Sequence, residues 1–356
     1  MSKLFTPITL RDVTVRNRVW VAPMCQYSAI DGLPNDWHLV HLGSFARGGA
    51  GVVIAEATAV SPEGRITPED TGMWNDEQQA AWAKVVDFIH SQGAVAGIQL
   101  AHAGRKASTY SPFGAEQGVV PESNGGWRPV SASGESFPGL HEDVQALDRT
   151  GIRKVVTDFG NAAARAVAAG FAVPEVHAAH GYLIHEFLSP LSNHRDDEYG
   201  GSFDNRIRLL LEIVREIRSR IDAGLPLVVR LSATDWVEGG WTVDDTVALS
   251  IILHAEGADL IDTSSGGNVL TTIPAAPGYQ APFARRVRTE AGIPSGAVGV
   301  ITDPKQAEEI VAEGSADVVL LGRELMRDPH WPLRAKHELG ELEKDLWPAQ
   351  YRQAAR

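Results

Sequence analysis

In the stretch Glu175-Val176-His177-Ala178-Ala179-His180-Gly181-Tyr182-Leu183-Ile184-His185, two imidazoles and a phenol fall within six residues. Such groups hydrogen-bond while neutral, so together they can grip an oxygen and deliver a proton beside it. The apolar run Phe171–Val176 precedes them, which puts His177 where a buried strand gives way to irregular chain, the usual place for chemistry in α/β folds. Two other readings stay open: a buried polar knot that ties a long loop down, or a metal site. Zinc asks for more than two His, and no H-E-x-x-H occurs here.

A second set closes the chain's last two strand-like runs, Ala297-Val298-Gly299-Val300-Ile301-Thr302 and Val319-Leu320-Leu321-Gly322-Arg323. In a barrel, adjacent turns of this kind offer free backbone N–H groups to a phosphate. Gly299 and Gly322 let the backbone come close, and Arg323 adds a charged, fork-shaped donor. Each glycine alone is more often a plain turn residue, but the pair at equivalent strand ends, followed by Arg, leans functional. Gly48-Gly49-Ala50-Gly51 precedes a strand and so reads as a helix stop on the opposite face. The single cysteine, Cys25, is either a nucleophile that lacks an evident base and leaving group or a buried inert thiol.

Positioning these residues requires a regular scaffold. Strand-like runs lie near 18–23, 51–57, 94–100, 171–177, 226–232, 258–263, 296–300 and 317–321. Helix-period segments lie near 36–47, 76–91, 150–169, 203–221, 243–256, 281–291, 303–313 and 323–338. Eight strands, each followed by a helix, predict an α/β fold of the closed (β/α)8 TIM-barrel type, with a doubly wound open sheet as the alternative. The whole chain, 1–356, reads as one domain. Residues 1–17 form an N-terminal β-hairpin cap, expected to plug the barrel floor; 102–149 form a long Gly-, Pro- and Ser-rich loop after strand three, over the active-site mouth; 339–356 form a C-terminal tail. Pro174 sits inside the fourth strand, where a closed barrel has no edge to absorb its missing N–H, so a local ladder defect is expected there.

The 356 residues are 44% hydrophobic, enough for a full core. Thirty-two basic against 45 acidic residues give a net charge of −13 without a basic block, which argues against nucleic acid or an anionic membrane as partner. One cysteine excludes a disulfide framework or a four-thiolate cluster. The start lacks a signal-peptide apolar run and no stretch approaches a membrane span, so the cytoplasm is the expected compartment.

The run from His177 through His180, Tyr182, His185-Glu186-Phe187, Asn193-His194-Arg195 and Tyr199-Gly200-Gly201 to Asn205-Arg206 resembles the Old Yellow Enzyme family of flavin-dependent ene-reductases. Ala22-Pro23-Met24-Cys25-Gln26-Tyr27-Ser28, with Cys after Pro-Met and His rather than Asn at 180, resembles its thermophilic-like, YqjM-like branch. The resemblance implies FMN as cofactor, NADPH or NADH as hydride donor, and small activated alkenes as substrates, reduced in two alternating half-reactions. It implies that Gly299, Gly322 and Arg323 take the FMN phosphate, and that Pro23, Met24 and Ala59 contact the ring. Gln99 would meet the flavin amide edge and Arg230 its N1/O2 region. Arg230 reads equally as the counter-ion of a structural carboxylate such as Glu175. For Cys25 the resemblance adds a third role, a sulfur that tunes the flavin. His177 and His180 would hold the substrate oxygen, Tyr182 would donate the proton, and Tyr27 would add a hydrogen bond. His102 and Lys106 either meet the nicotinamide or belong to a solvated loop. A homodimer or homotetramer is implied, with Arg352 reaching the neighbouring subunit's substrate pocket. The rival readings are a barrel hydrolase or lyase using the His cluster with Glu186 or Asp196, and a flavin-binding module without turnover.

Overall fold

Alternation within the strand-like runs decides the architecture, because in a closed parallel barrel every second side chain points to the axis and the others meet the helices. The computed structural model describes residues 2–341 and 346–355. Its strands are β1 (Val19–Val21), β2 (Val52–Ala59), β3 (Val95–Ala101), β4 (Val173–Ala178), β5 (Val228–Ser232), β6 (Leu260–Ser264), β7 (Ser295–Ala297) and β8 (Val318–Leu321). Each pairs in parallel with its successor and β8 pairs with β1, which closes an eight-stranded barrel. The open-sheet alternative is thereby excluded. Around it lie α1 (Asp36–Arg47), α2 (Asp76–Ser91), α3 (Arg149–Ala168), α4 (Arg208–Arg218), α5 (Val243–Ala255), α6 (Ala281–Arg286), α7 (Pro304–Ala312) and α8 (Trp331–Glu338).

One buried cluster unites the axial residues Trp20, Val52, Ile54, Val173, Val228, Leu260, Val318 and Leu320 with Ile8, Leu10 and Val15 of an antiparallel hairpin, Ile8–Leu10 with Val13–Val15. The hairpin thus seals the apolar floor of the barrel. Farther along the same strands the axial positions turn polar, giving Gln99, Glu175, His177, Arg230, Asp262 and Ser264, all buried. The helices cover the outside with apolar stripes, such as Leu209, Leu210, Ile213, Val214 and Ile217 of α4.

Several boundaries differ from the sequence reading, for identifiable reasons. The segment 203–221 divides into Phe203–Arg206 and α4. The segment 323–338 divides into Arg323–Arg327 and α8 because Pro329 disfavours helical backbone at Asp328, which sits at φ −135°. Strand seven ends early, since Gly299 (φ 107°) and Val300 (φ 52°) turn the chain away. Pro174 removes one N–H, yet β4 runs unbroken past it in register with Ile98. The register shift in the ladder lies instead between Ala55 and Ala57 of β2. The 102–149 connection is only partly loop, since it carries a two-stranded parallel sheet, Val130–Ser131 with Gln145–Ala146.

Arg16 secures the floor. It donates from Nε to Ala50 O (3.0 Å), from Nη1 to Gln92 O (2.8 Å), and from Nη2 to Ala46 O (2.8 Å) and Ala50 O (2.7 Å). These carbonyls include C-terminal groups of α1 and α2, the negative ends of both helices. Arg16→Met should therefore destabilise the protein by about 2–3 kcal/mol, the scale of charge-assisted hydrogen bonds left unmade, read as a lower urea midpoint with barrel circular dichroism intact before unfolding.

Candidate active site

β4 carries His177 one residue before its end at Ala178, and the chain then turns through His180 (φ 60°) and Gly181 (φ 71°). The turn is tight because the loops after β4 and β6 touch backbone to backbone. A Cβ at Gly181 would lie 2.3 Å from Gly267 O, and one at Gly267 would lie 2.7 Å from His180 Cα. Lys106, from the long connection, bridges the two loops by donating to His180 O (2.8 Å) and to Gly267 O. His180 N donates to Ser232 Oγ at 3.0 Å, and His180 Nε2 lies 2.7 Å from Ser264 Oγ. The His177 ring stands edge-on to His180 at 5.1 Å and to Tyr182 at 5.0 Å. Its Nδ1 is buried without a hydrogen-bond partner among the described residues.

The two imidazoles and the phenols of this site are neutral at pH 7. Burial pushes His177 and His180 well below the ordinary imidazole value, and the nearby Arg230 pushes the same way. Burial pushes the phenols of Tyr182 and Tyr27 upward, with Cys25 adding to both. Cys25 is held as a thiol, raised by burial and then by Asp70 and Glu56. Protonated phenols beside neutral imidazoles are proton and hydrogen-bond donors, whereas a thiolate nucleophile is disfavoured. His102 is buried, with its value lowered to about 4 by that burial, and Lys106 is lowered to about 8 by the same cause. The solvated-loop reading of these two residues therefore fails, and Lys106 is engaged in holding the loops together.

Beneath the imidazoles lies a charged centre. His177, Arg230 and Asp262 are register partners on β4, β5 and β6. Arg230 Nε lies 3.1 Å from Asp262 Oδ2, so its ion-pair partner is Asp262 rather than Glu175. Glu175 accepts instead from Gln99 Nε2 at 2.7 Å.

Above the ends of β1, β5, β6, β7 and β8 opens a cavity of about 460 Å³. It brings together Pro23, Met24, Arg230, Gly299, Gly322 and Arg323. At Gly299 a Cβ would meet Gln280 Nε2 at 2.7 Å and Tyr279 Cε1 at 2.9 Å, so side chains from the β6–α6 loop need the glycine. Gly322 has no such demand from the protein, its nearest neighbour being Met24 Sδ at 3.4 Å. Its open side faces the cavity. Ala59 is buried with both backbone groups engaged: its N–H donates to Thr71 O and its carbonyl accepts from Met73 N, both at 2.9 Å. Tyr27 stands edge-on to Phe113 of the long connection at 5.7 Å. Arg352 is exposed, on a turn (Ala349–Ala354) whose Tyr351 lies under Arg47 at 5.3 Å. Part of the 339–356 tail, residues 342–345 and 356, lies outside the described residues.

Sequence reading missed Ser264, Tyr279, Gln280 and Arg327, which also line the cavity. Ser264-Ser265-Gly266-Gly267-Asn268, a polar glycine-bearing run directly after a strand, was a usable signal. Gln280 and Arg327 carry no local pattern.

The comparisons accord with this geometry. Residues 3–341 match the NADH:flavin oxidoreductase / NADH oxidase family. An NADPH dehydrogenase of Listeria monocytogenes is 46% identical over 99% of this chain and 99% of its own. The NADPH dehydrogenase of Bacillus subtilis is 45% identical, covering 95% of each chain. Among solved structures, morphinone reductase in complex with tetrahydroNAD superposes with a TM-score of 0.80 at 27% identity, over 98% of this chain and 95% of that one. An Old Yellow Enzyme homologue from Zymomonas mobilis gives 0.79 at 26% identity, over 99% of each. FMN and NAD(P)H are the cofactors. The cavity suits FMN, since it joins an enclosed guanidinium, Arg230, to a glycine-lined rim carrying the exposed Arg323. With its barrel and its full-length relatives agreeing, the chain belongs to the NADH:flavin oxidoreductase / NADH oxidase family, the Old Yellow Enzyme group.

Proposed function

We propose that the protein, acting as a single domain over 1–356, is an NAD(P)H-dependent ene-reductase for α,β-unsaturated carbonyl or nitro compounds. The observation that carries this reading is the pairing of two neutral imidazoles and a protonated phenol with a cavity anchored on Arg230. Bound FMN supplies a centre that takes hydride from the nicotinamide and passes it to the alkene.

The chain's own residues do the rest. Gly299, Gly322 and Arg323 hold the phosphate by backbone approach and charge. Pro23, Met24 and Ala59 bound the ring, Ala59 through its edge since its backbone groups are engaged. Gln99 meets the amide edge, while Arg230 stabilises negative charge on the pyrimidine side. The Cys25 thiol adjusts the redox potential. His177 and His180 hold the carbonyl or nitro oxygen of the alkene, which polarises the C=C bond and stabilises charge developing on that oxygen, with Tyr27 as a further donor. Because the imidazoles are neutral, each acts as a hydrogen-bond donor and carries no charge of its own. Tyr182 gives its proton to the α carbon as hydride reaches the β carbon. A hydrolase would not need a guanidinium on the barrel axis beside a phosphate-suited rim.

The enzyme is placed in the cytoplasm as a homodimer or homotetramer, with Arg352 contributed to the neighbouring subunit's substrate pocket. Among the described residues no helix is long and apolar enough to cross a membrane. Arg352→Ala should raise apparent KM for the alkene about tenfold with kcat little changed, the scale of one charge-assisted contact. An unchanged KM, or a monomer by light scattering, would remove Arg352 from the site.

The reaction itself is tested by absorbance under nitrogen. The purified protein should show flavin bands that NADPH bleaches and 2-cyclohexenone restores. A colourless preparation would favour the hydrolase, and a yellow one that NADPH does not bleach would favour a binding module. Tyr182→Phe should leave bleaching by NADPH nearly unchanged and slow oxidation by the enone about 100-fold or more, the usual scale of a positioned general acid. A nitroalkene should suffer less, because its nitronate product can leave and collect a proton from water. Equal slowing of both oxidations in stopped-flow traces would make Tyr182 a positioning residue.

A further inference from the structure

On the barrel axis, two carboxyls are enclosed with one guanidinium. Glu175 and Asp262 are both 0% exposed, and Arg230 is 8% exposed. Arg230 Nε faces Asp262 Oδ2 at 3.1 Å, in ion-pair contact without hydrogen-bond geometry. Glu175 has Gln99 as its donor, on Oε1, while Oε2 is buried with no hydrogen-bond partner among the described residues. Both Asp262 oxygens are likewise without a hydrogen-bond donor among the described residues. The groups facing Glu175 are Gln99 from β3, His177 farther along its own strand, Arg230 from β5 and Asp262 from β6. The remaining axial strands contribute Trp20, Ala22, Ile54, Val298 and Leu320. His177 and His180 are neutral, so one cation faces two acids in a low-dielectric enclosure. Two full negative charges cannot be held there as cheaply as one.

We propose that Glu175 and Asp262 hold one exchangeable proton between them, resting on Glu175, and that this proton sets how much of Arg230's charge is left for the flavin. Glu175 is then a positioning residue, acting through Gln99 and Arg230. Its location accords with its acidity: burial and the Asp262 charge push the Glu175 carboxyl up to about 8, against the opposing pull of Arg230 and Gln99. Asp262 is raised by burial, with Arg230 pulling it back.

The redox consequence follows by charge balance and rests on the flavin placement under Proposed function. Hydride from NADPH brings two electrons and one proton, which leaves one net negative charge on the flavin beside Arg230. Below the titration of Glu175 its proton is already present and no other is taken up. Above it, the new negative charge draws one proton from water onto Glu175. The flavin midpoint potential should therefore fall more steeply with pH above about 8 than below it. The same raised value acts on stability, since the folded state then binds a proton more tightly than the unfolded one. This stabilisation is complete below the unfolded carboxyl value and is lost as pH rises through about 8.

The test combines infrared titration of the holoenzyme with potentiometry from pH 6 to 10. Wild type should show a protonated-carboxyl stretch that disappears near pH 8 together with the change of potential slope. Glu175→Gln, which copies the protonated side chain, should lack both the titrating band and the slope change while still holding FMN. In Asp262→Asn, Glu175 becomes the counter-ion of Arg230, so the band should titrate at lower pH. A wild type with no protonated carboxyl at pH 7 overturns the proposal. So does a Glu175→Gln variant that keeps the band and the slope change, or, if that variant does not fold, an Asp262→Asn variant whose titration is unmoved. A protein without flavin would refute the proposed function instead, and its infrared band would still decide where the proton sits.

Discussion

An enclosed guanidinium has to be answered by its surroundings, and Arg230 is answered in three ways. Asp262 faces it from the next strand at 3.1 Å. His177, its register partner on the other side, is kept neutral by burial and then by Arg230 itself. The axial positions toward the floor are aliphatic or aromatic, so nothing there screens the charge. Low polarizability around a fixed charge makes its field felt at longer range than in water. The barrel permits this because it has no free edge. Each axial layer is surrounded by backbone already paired, so the polar layer can sit directly on an apolar one without admitting solvent.

Above that layer the limiting factor is backbone geometry. His180 takes a left-handed conformation that a side chain adopts at some cost, and the surrounding contacts hold it there. Ser232 accepts from its N–H, Lys106 donates to its carbonyl, and the bare backbones of Gly181 and Gly267 meet where a Cβ would collide. The long connection shares in this. Arg105 donates to Asn268 O at 2.7 Å and to Asn268 Oδ1 at 3.1 Å, while Glu186 accepts from the backbone of Arg105 at 2.8 Å and of Ala132 at 3.1 Å. Its base is thus tied to the loops after β4 and β6, whereas its tip leaves Phe113 73% exposed against Tyr27. The contacts that fix the imidazoles lie in the tied part.

The strands and helices were legible because their periods differ and the apolar runs were short, β-branched and evenly spaced. The shared cavity rim of Gly299, Gly322 and Arg323 was legible because they sit at strand ends, where local sequence and barrel position coincide. The cavity's other walls were not. Gln280 reaches it from the β6–α6 loop and Arg327 from the short helix Arg323–Arg327, placements that are tertiary outcomes with no spacing to mark them. Lys106 was read as a mouth residue or solvated charge, since nothing in Gly104-Arg105-Lys106 announces that its ammonium will bridge two carbonyls from remote loops. The partner of Arg230 was equally hidden. Alternation places Glu175 and Asp262 on the same axis, but the choice between them depends on strand register and stagger, which the sequence does not display.

Charge type then separates the two ends of the site. Around Tyr182, the phenols, the thiol and the imidazoles are all uncharged, each for the same reason, that burial disfavours its ionised form. The cavity's permanent cations include Arg230 on the axis and Arg323 at the exposed rim. In the proposed function, an anionic phosphate and a ring that gains negative charge would both meet guanidinium groups, while the reacting alkene would meet neutral donors. A cation beside the alkene oxygen would hold the ground state as firmly as the developing enolate, whereas neutral hydrogen bonds strengthen as charge grows on that oxygen. In that proposed reaction, the enclosure that keeps the imidazoles neutral would also direct their stabilisation toward the transition state.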